Sequence, residues 1–128
     1  MAGIVESIRN TIGENLGGPA QALSTHQFTL DEVPDLDGKV AVVTGGSEGI
    51  GFGCTYTLLK HNVAKVFVLA PRKEVMDGAV DVFAKELGQD KADRVEFIQT
   101  DLMDWPQVAQ VAEQIKKKTD RLDILINK

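Results

Sequence analysis

The stretch from Thr44 to Gly51 reads TGGSEGIG, and it decides the fold that the sequence predicts. Before it lies a short apolar segment, Val40–Val43, of the kind that forms a buried strand of a parallel sheet. After it, the spacing of apolar residues predicts a helix from about Ile50 to Lys60. Glycine tolerates backbone conformations and close approaches that other residues do not. The sequence therefore predicts a strand, a tight glycine-rich turn and a helix in direct succession.

Beyond this unit, strand-like and helix-like segments continue to alternate. Turn and capping residues separate them. The predicted strands are Val40–Val43, Lys65–Ala70, Arg94–Gln99 and Leu122–Ile126. The predicted helices carry apolar faces of Ile50, Cys54 and Leu58, then of Val75, Met76, Ala79, Val80, Phe83, Ala84 and Leu87, then of Val108, Val111, Ala112 and Ile115. This order predicts an α/β fold, a Rossmann-type doubly wound parallel sheet truncated to about four strands in the order 3-2-1-4.

The ends of the predicted helices carry residues suited to those positions. Asn62 can end the first helix and Gly88 the second, because both tolerate the left-handed conformation of a helix C-terminus. Asp104 can cap the third helix at its N-terminus, where Pro106 is tolerated in the first turn.

Residues 1–36 are predicted to form a separate N-terminal extension that is partly helical or irregular, and residues 37–128 the sheet-forming domain. Ile4, Ile8 and Ile12 recur every fourth residue, which is typical of a short amphipathic helix. The segment is interpreted as an arm that docks or frays. A helix that binds a partner is the alternative.

Composition excludes several classes of protein. The 128 residues allow one domain at most. A net charge of −5 argues against binding to nucleic acid or to an anionic membrane surface, and no apolar run reaches the length of a membrane span. The single cysteine, Cys54, fits a reducing compartment, and Glu6 and Glu14 argue against a mitochondrial transit peptide. A cytoplasmic protein without a metal site is expected.

Three motifs in order resemble the short-chain dehydrogenase/reductase family. TGGSEGIG fits its turn, Thr-Gly-x-x-x-Gly-x-Gly. Asp101 and Leu102 fit the acidic position that faces the adenine ring, and Asn127 fits the first Asn of Asn-Asn-Ala-Gly, which braces the sheet beneath the cofactor. The resemblance covers roughly residues 38–127 and implies the N-terminal, cofactor-binding half of an enzyme that reduces a carbonyl or oxidises an alcohol.

In this reading, each glycine of the turn has a physical role. Gly45 permits the tight turn, Gly49 lets the backbone approach a pyrophosphate, and Gly51 lets the helix pack closely on the sheet. The helix then directs its free N–H groups and its positive dipole end at the phosphates. Thr44, Ser47 and Ile50 are expected to border the cofactor as well.

The choice of cofactor is expected at the end of the second strand. Pro71 stands where an NAD-binding domain places a carboxylate for the ribose 2′-hydroxyl. Arg72 can instead bind a 2′-phosphate, which favours NADP, with NAD as the alternative. Glu48 opposes this interpretation, because a carboxylate near the phosphate would weaken its binding.

No catalytic residue is predicted. Tyr56 and Lys60 have the family's Tyr-x-x-x-Lys spacing, but they lie on the helix that leaves the glycine turn, away from the nicotinamide. The family's catalytic Ser, Tyr and Lys have no counterpart here, so the chain alone is not expected to catalyse hydride transfer. The alternative is a truncated product, or a nucleotide-binding or interaction module, that self-associates or pairs with a full-length relative through the edge strand Leu122–Ile126.

Lys128 suggests a hypothesis about the gene. Asn codons begin with AA. If an exon ended after those two bases and an intron beginning GTAA were retained, translation would read AAG for Lys and then the stop codon TAA. Lys128 is therefore interpreted as a read-through, or as a misplaced gene end.

Overall fold

The computed structural model describes residues 27–128. The chain divides into two units between Val33 and Pro34. The described part of the first unit contains one 3-10 turn, Leu30–Glu32. The amphipathic helix predicted around Ile4 lies outside the described residues and stays a prediction.

The second unit is a four-stranded parallel sheet with helices on its two faces. In chain order its elements are β1 (Val40–Thr44), α1 (Gly49–Lys60), β2 (Lys65–Ala70), α2 (Lys73–Leu87), the short α3 (Gln89–Ala92), β3 (Val95–Gln99), α4 (Trp105–Lys118) and β4 (Ile124–Ile126). The strands lie in the order β3-β2-β1-β4 and every pair is parallel. The predicted fold and strand order are confirmed.

Alternate residues of β1 and β2 point to opposite faces of the sheet. On one face a cluster of buried side chains packs against α4, with half-buried Ile98 beside it; its members are Val40, Val42, Phe67, Leu69, Val111 and Ile115. On the other face Ala41, Val43, Val66 and Val68 are fully buried. On α2, Met76, Ala79 and Phe83 are buried, as the periodicity of that segment predicts.

The predicted helix ends are present. Asn62 has φ 71° and Gly88 has φ 95°, so both adopt the conformation for which they were singled out. Asp104 caps α4, where its carboxylate accepts the N–H of Gln107 at 3.1 Å. The helix α3 was not predicted, because its four residues are too few for a periodic pattern.

The predicted apolar face of α1 is confirmed at Leu58 and wrong at Ile50 and Cys54. Ile50 is 77% exposed and Cys54 is only half-buried. The residues that α1 buries are Gly51, Thr55, Leu58 and Leu59. The first turn of α1 packs on the glycine-rich turn, where small and polar groups are needed, so apolar spacing alone failed to identify Gly51 and Thr55 as buried.

β4 is shorter than predicted, and Asp123 fixes its start. The N–H of Asp123 donates to the carbonyl of Val40 at 2.9 Å, and one Asp123 carboxylate oxygen accepts the N–H of Val40 at 2.8 Å. Arg121 binds the same carboxylate through two N–H groups at 2.9 and 2.7 Å. These donors stabilise the charged form, and they lower the pKa of Asp123 to about 2, with the Arg121 hydrogen bonds as the largest cause.

The outer edge of β4 is open in the described part of the chain, where β4 pairs with β1 alone. Leu122 and Leu125 are exposed there. A groove of about 550 Å³ with mostly apolar walls runs between α4 and β4; its walls include Val42, Leu69, Leu102, Val108, Ala112, Leu122 and Leu125. None of the helices within residues 27–128 combines the length and the apolar character that crossing a membrane requires.

Asp123→Asn should remove part of the acid sensitivity of the fold. The pKa of this carboxyl is about 2 in the folded chain against an ordinary value of 3.8. Its stabilising contribution is therefore complete above about pH 4 and is lost as the pH falls towards 2. The free energy of unfolding, measured by urea denaturation, should fall less steeply in this pH range for the variant than for the wild type. Asp81→Asn, which changes an exposed carboxylate on α2, should keep the wild-type slope. Equal slopes for the wild type and Asp123→Asn would contradict the assignment.

Candidate functional site

Four glycines of the turn between β1 and α1 disfavour side chains, two by backbone conformation and two by close packing. Gly45 has φ 63° and Gly49 has φ 58°, a region that other residues rarely adopt. A Cβ on Gly51 would overlap the carbonyl group of Gly45. A Cβ on Gly46 would lie 2.7 Å from the hydroxyl oxygen of Thr55. Three positions of the motif therefore match the conformational needs expected from the sequence, and Gly46 adds a fourth.

Buried hydrogen bonds hold this turn in place. The hydroxyl of Thr55, which is fully buried, lies 3.1 Å from the carbonyl oxygens of Gly46 and Gly51 and can donate to either. The N–H of Gly45 donates to the carbonyl of Leu69, the fifth residue of β2, at 2.8 Å. Hydrogen bonds within the chain therefore hold the turn in its conformation.

The N-terminus of α1 is left uncapped by its own side chain. Glu48 occupies the N-cap position and makes no capping hydrogen bond, whereas Asp104 caps α4. The first N–H groups of an α-helix have no partner within the helix. These groups and the positive end of the helix dipole can bind an anion that reaches the turn.

The Glu48 carboxylate binds Arg72 instead. One guanidinium nitrogen of Arg72 lies 2.7 Å from a carboxylate oxygen of Glu48, and both side chains are 58% exposed. From the sequence, Arg72 was expected to bind a 2′-phosphate and Glu48 to weaken that binding. The structure brings the two side chains into direct contact. Lys73, the next residue, is held by Asp77 at 2.7 and 2.9 Å, so only Arg72 of this pair faces Glu48.

Asp101 and Leu102 lie in the turn that follows β3. The Asp101 carboxylate accepts a hydrogen bond from the N–H of Met103 at 2.9 Å. The backbone N–H of Asp101 donates to the side-chain oxygen of Gln107 at 2.6 Å. Leu102 is exposed. Asp101 therefore shapes its own turn, and its expected place beside an adenine ring stays a prediction.

The remaining predicted residues fall into two groups. Thr44 and Ser47 are buried, whereas Ile50 is exposed at the first turn of α1. Asn127 is exposed and lines the α4–β4 groove beside Thr44. The predicted contacts of these four residues with a cofactor stay predictions.

No functional role was predicted for Lys128, but the structure places it at the turn. Its N–H donates to the hydroxyl of Thr44 at 2.9 Å. Its side chain lies over Gly45, where an added Cβ would be 3.1 Å from the Lys128 Cδ. The signal available in the sequence was the position two residues after β4, the strand that neighbours β1.

Comparison with known proteins decides the family. The family model described as short chain dehydrogenase matches residues 39–128. The chain belongs to the short-chain dehydrogenase family. Members of this family bind a nicotinamide dinucleotide, NAD or NADP, and the predicted family is confirmed.

Named relatives agree with this assignment. The oxidoreductase bli-4 of Neurospora crassa, whose name includes the word mitochondrial, is 63% identical over 123 residues, which are 96% of this chain and 30% of that protein. Menthone neomenthol reductase from Mentha piperita is 34% identical with a TM-score of 0.63, over 70% of this chain and 31% of that one. A complex of Pseudomonas aeruginosa RhlG with NADP is 30% identical with a TM-score of 0.59, over 71% and 33%. The chain spans about a third of the length of these short-chain dehydrogenases and related proteins.

Tyr56, the one tyrosine of the chain, lies on α1, and its side chain contacts α2. Its hydroxyl donates to a carboxylate oxygen of Glu86 at 3.2 Å, and its ring lies 6.3 Å from that of Phe52 and 6.4 Å from that of Phe83. The hydrogen bond to Glu86 is the largest cause of a raised pKa for Tyr56. A tyrosine that donates a proton near neutral pH needs a lowered pKa, so this environment opposes a catalytic role.

Among residues 27–128, no His, Cys, Asp and Glu side chains form a metal-binding cluster.

Gly51→Ala and Gly53→Ala should have opposite effects on stability. The methyl group at Gly51 would collide with the Gly45 carbonyl, and overpacking of this kind costs about 1–3 kcal/mol. A methyl group at Gly53, two residues further along α1, would meet open space. It should stabilise α1 by about 0.5–1 kcal/mol. Thermal and urea unfolding of both variants tests this. A loss of stability in Gly53→Ala equal to that in Gly51→Ala would show that close packing at the turn is not the cause.

Proposed function

We propose that the chain is the cofactor-binding part of a short-chain dehydrogenase that uses NADP(H) to reduce a carbonyl or oxidise an alcohol. The observation that carries the proposal is the preformed glycine-rich turn beneath an uncapped helix N-terminus. Gly45 and Gly49 carry no side chains and have positive φ, which lets the backbone of the turn approach a pyrophosphate. The residues that would hold the dinucleotide are Thr44, Gly45, Ser47, Gly49, Ile50 and Gly51 at the turn, Arg72 at the 2′-phosphate, Asp101 and Leu102 at the adenine, and Asn127 beneath the cofactor.

The preference for NADP depends on competition for Arg72. An exposed ion pair such as Arg72–Glu48 contributes about 0.2–1 kcal/mol. A charge-assisted hydrogen bond to a phosphate contributes about 1.5–3 kcal/mol. The phosphate should therefore displace Glu48 from Arg72, at the expense of the ion pair. Pro71 offers no carboxylate for the ribose 2′-hydroxyl of NAD, which supports the same preference.

The cofactor itself carries the hydride, and the protein binds and orients it. The second requirement of the reaction is a group that transfers a proton to or from the substrate oxygen. Tyr56 is bound by Glu86, and its pKa is raised rather than lowered. We therefore propose that residues 1–128 supply cofactor binding without that acid–base group.

Titration calorimetry with NADP and NAD tests the cofactor preference. The wild type should bind NADP more tightly than NAD. Arg72→Ala should lower the affinity for NADP by about tenfold or more and leave the affinity for NAD nearly unchanged. Glu48→Gln should strengthen NADP by up to about fivefold, because the phosphate no longer competes with a carboxylate. Lys73→Ala is the control, since Asp77 already holds that cation. Equal affinities of the wild type for the two nucleotides, or no loss in Arg72→Ala, would contradict the proposal.

A second candidate function is association through the edge of β4. We infer a contact with a second copy of the chain, because an unpaired edge strand can accept a further strand. Leu122 and Leu125 are exposed beside this edge, and the apolar groove between α4 and β4 continues the same surface. Pairing with a full-length relative would use the same edge.

Leu125→Lys should abolish this association. A charge at the exposed edge opposes both strand pairing and apolar contact. Sedimentation of the wild type should show a mass that rises with protein concentration, whereas the variant should remain a monomer. Val82→Lys, which changes an exposed apolar residue on α2, should behave as the wild type does. A wild type that stays monomeric at all concentrations would sink this second function.

The cellular compartment also stays a prediction. The sequence predicts the cytoplasm from Glu6, Glu14 and the composition, whereas the name of the Neurospora crassa relative points to mitochondria.

A further inference from the structure

Lys128 places an ammonium group over the glycine-rich turn. A Cβ built on Gly45 would lie 3.8 Å from the Lys128 Nζ, and a Cβ built on Gly49 would also lie 3.8 Å from it. The side chain thus passes over the two glycines with positive φ. The hydrogen bond from the Lys128 N–H to the Thr44 hydroxyl, at 2.9 Å, fixes the backbone from which it extends.

The charge of this ammonium is not balanced at the turn. The positive end of the α1 dipole lies at Gly49, so the dipole and the Lys128 Nζ have the same sign. The nearby carboxylate of Glu48 binds Arg72. Within residues 27–128 no ion pair involves Lys128. Two positive groups that face one small space favour an anion between them.

We propose that Lys128 binds the pyrophosphate of the dinucleotide, together with the backbone N–H groups of the turn. Lysine binds phosphate as a flexible point charge, and a glycine-rich turn combined with one lysine is an established way to bind phosphates in other folds. This inference rests on the proposed nucleotide-binding function. It adds a residue that the motifs of the turn do not include.

Lys128 and Arg72 would then bind different phosphates. Arg72 follows β2 and Lys128 follows β4, and these strands lie on opposite sides of β1. Arg72 is the candidate for the 2′-phosphate, which only NADP carries. Lys128 is the candidate for the 5′-linked pyrophosphate, which NAD, NADP and ADP share. The two residues therefore predict different patterns of loss across a set of nucleotides.

The test compares Lys128→Met with Arg72→Ala by titration calorimetry. The probes are NADP, NAD, 5′-ADP and 2′-AMP, with the full chain. Lys128→Met keeps an apolar stem and removes the charge. The variant should lower the affinities for NADP, NAD and 5′-ADP by a similar factor, about tenfold or more. The affinity for 2′-AMP should stay unchanged. Arg72→Ala should weaken NADP and 2′-AMP and leave NAD and 5′-ADP unchanged.

Two further variants separate charge from structure. Lys128→Arg keeps the charge and should retain most of the affinity that Lys128→Met loses. Lys117→Met removes an exposed charge near the far end of α4 and should bind all four nucleotides as the wild type does. Added salt should weaken 5′-ADP binding more in the wild type than in Lys128→Met, because salt screens the charge that the variant lacks.

The outcomes distinguish this inference from the proposed function. If the wild type binds nucleotides and Lys128→Met binds them equally well, Lys128 is not a phosphate ligand, and the proposed function stands. If Lys128→Met binds them more tightly, the side chain obstructs the site and the inference is wrong. If the wild type binds none of the four probes at millimolar concentration, the proposed function fails, and the role of Lys128 fails with it.

Discussion

The contact between Gly51 and the carbonyl group of Gly45 is the constraint on which the rest of the site depends. Because Gly51 has no Cβ, the first turn of α1 can lie directly against the end of β1. That approach buries Thr55, whose hydroxyl can then donate to the carbonyl of Gly46 or to that of Gly51. It also directs the uncapped N-terminus of α1 over the carboxyl edge of the sheet, where ligands bind in open α/β folds. A single side chain at this point would separate the helix from the sheet.

Two cations, Arg72 and Lys128, lie beside the glycine-rich turn, and within residues 27–128 a carboxylate binds only Arg72. Glu48 leaves the helix N-terminus open, since its carboxylate binds Arg72 rather than the N–H groups of α1. The same contact keeps Arg72 beside the turn and in competition for a phosphate. On the other side of β1, the Lys128 ammonium lies over the glycines without a carboxylate partner in residues 27–128. One cation is thus partly neutralised and the other is not, which makes their responses to salt and to nucleotide different.

Local patterns predicted the fold because they carry local physics. The apolar runs, Asn62, Gly88 and Asp104 identified strands and helix ends, since each depends on near neighbours in the chain. The start of the apolar face of α1, at Ile50 and Cys54, was predicted wrongly, because the packing of Gly51 and Thr55 on the turn overrides hydrophobic spacing. The Arg72–Glu48 pair and the position of Lys128 join residues far apart in sequence, and no spacing rule connects them. The glycines of the site were therefore predictable, whereas the arrangement of its charges was not.

The two hydrogen bonds between Asp123 and Val40 have a consequence for the order in which the chain folds. Asp123 and Val40 are 83 residues apart, whereas the partners of β1 in β2 lie much nearer in sequence. The entropy lost on closing a loop grows with its length, and non-local contacts form late. During synthesis β1, β2 and β3 can pair while β4 is still within the ribosome. β4 then docks last, and the Lys128 side chain reaches the glycine-rich turn only at that step. Among the four strands in residues 27–128, the strand that brings the Lys128 ammonium to the turn is therefore the last to join the sheet.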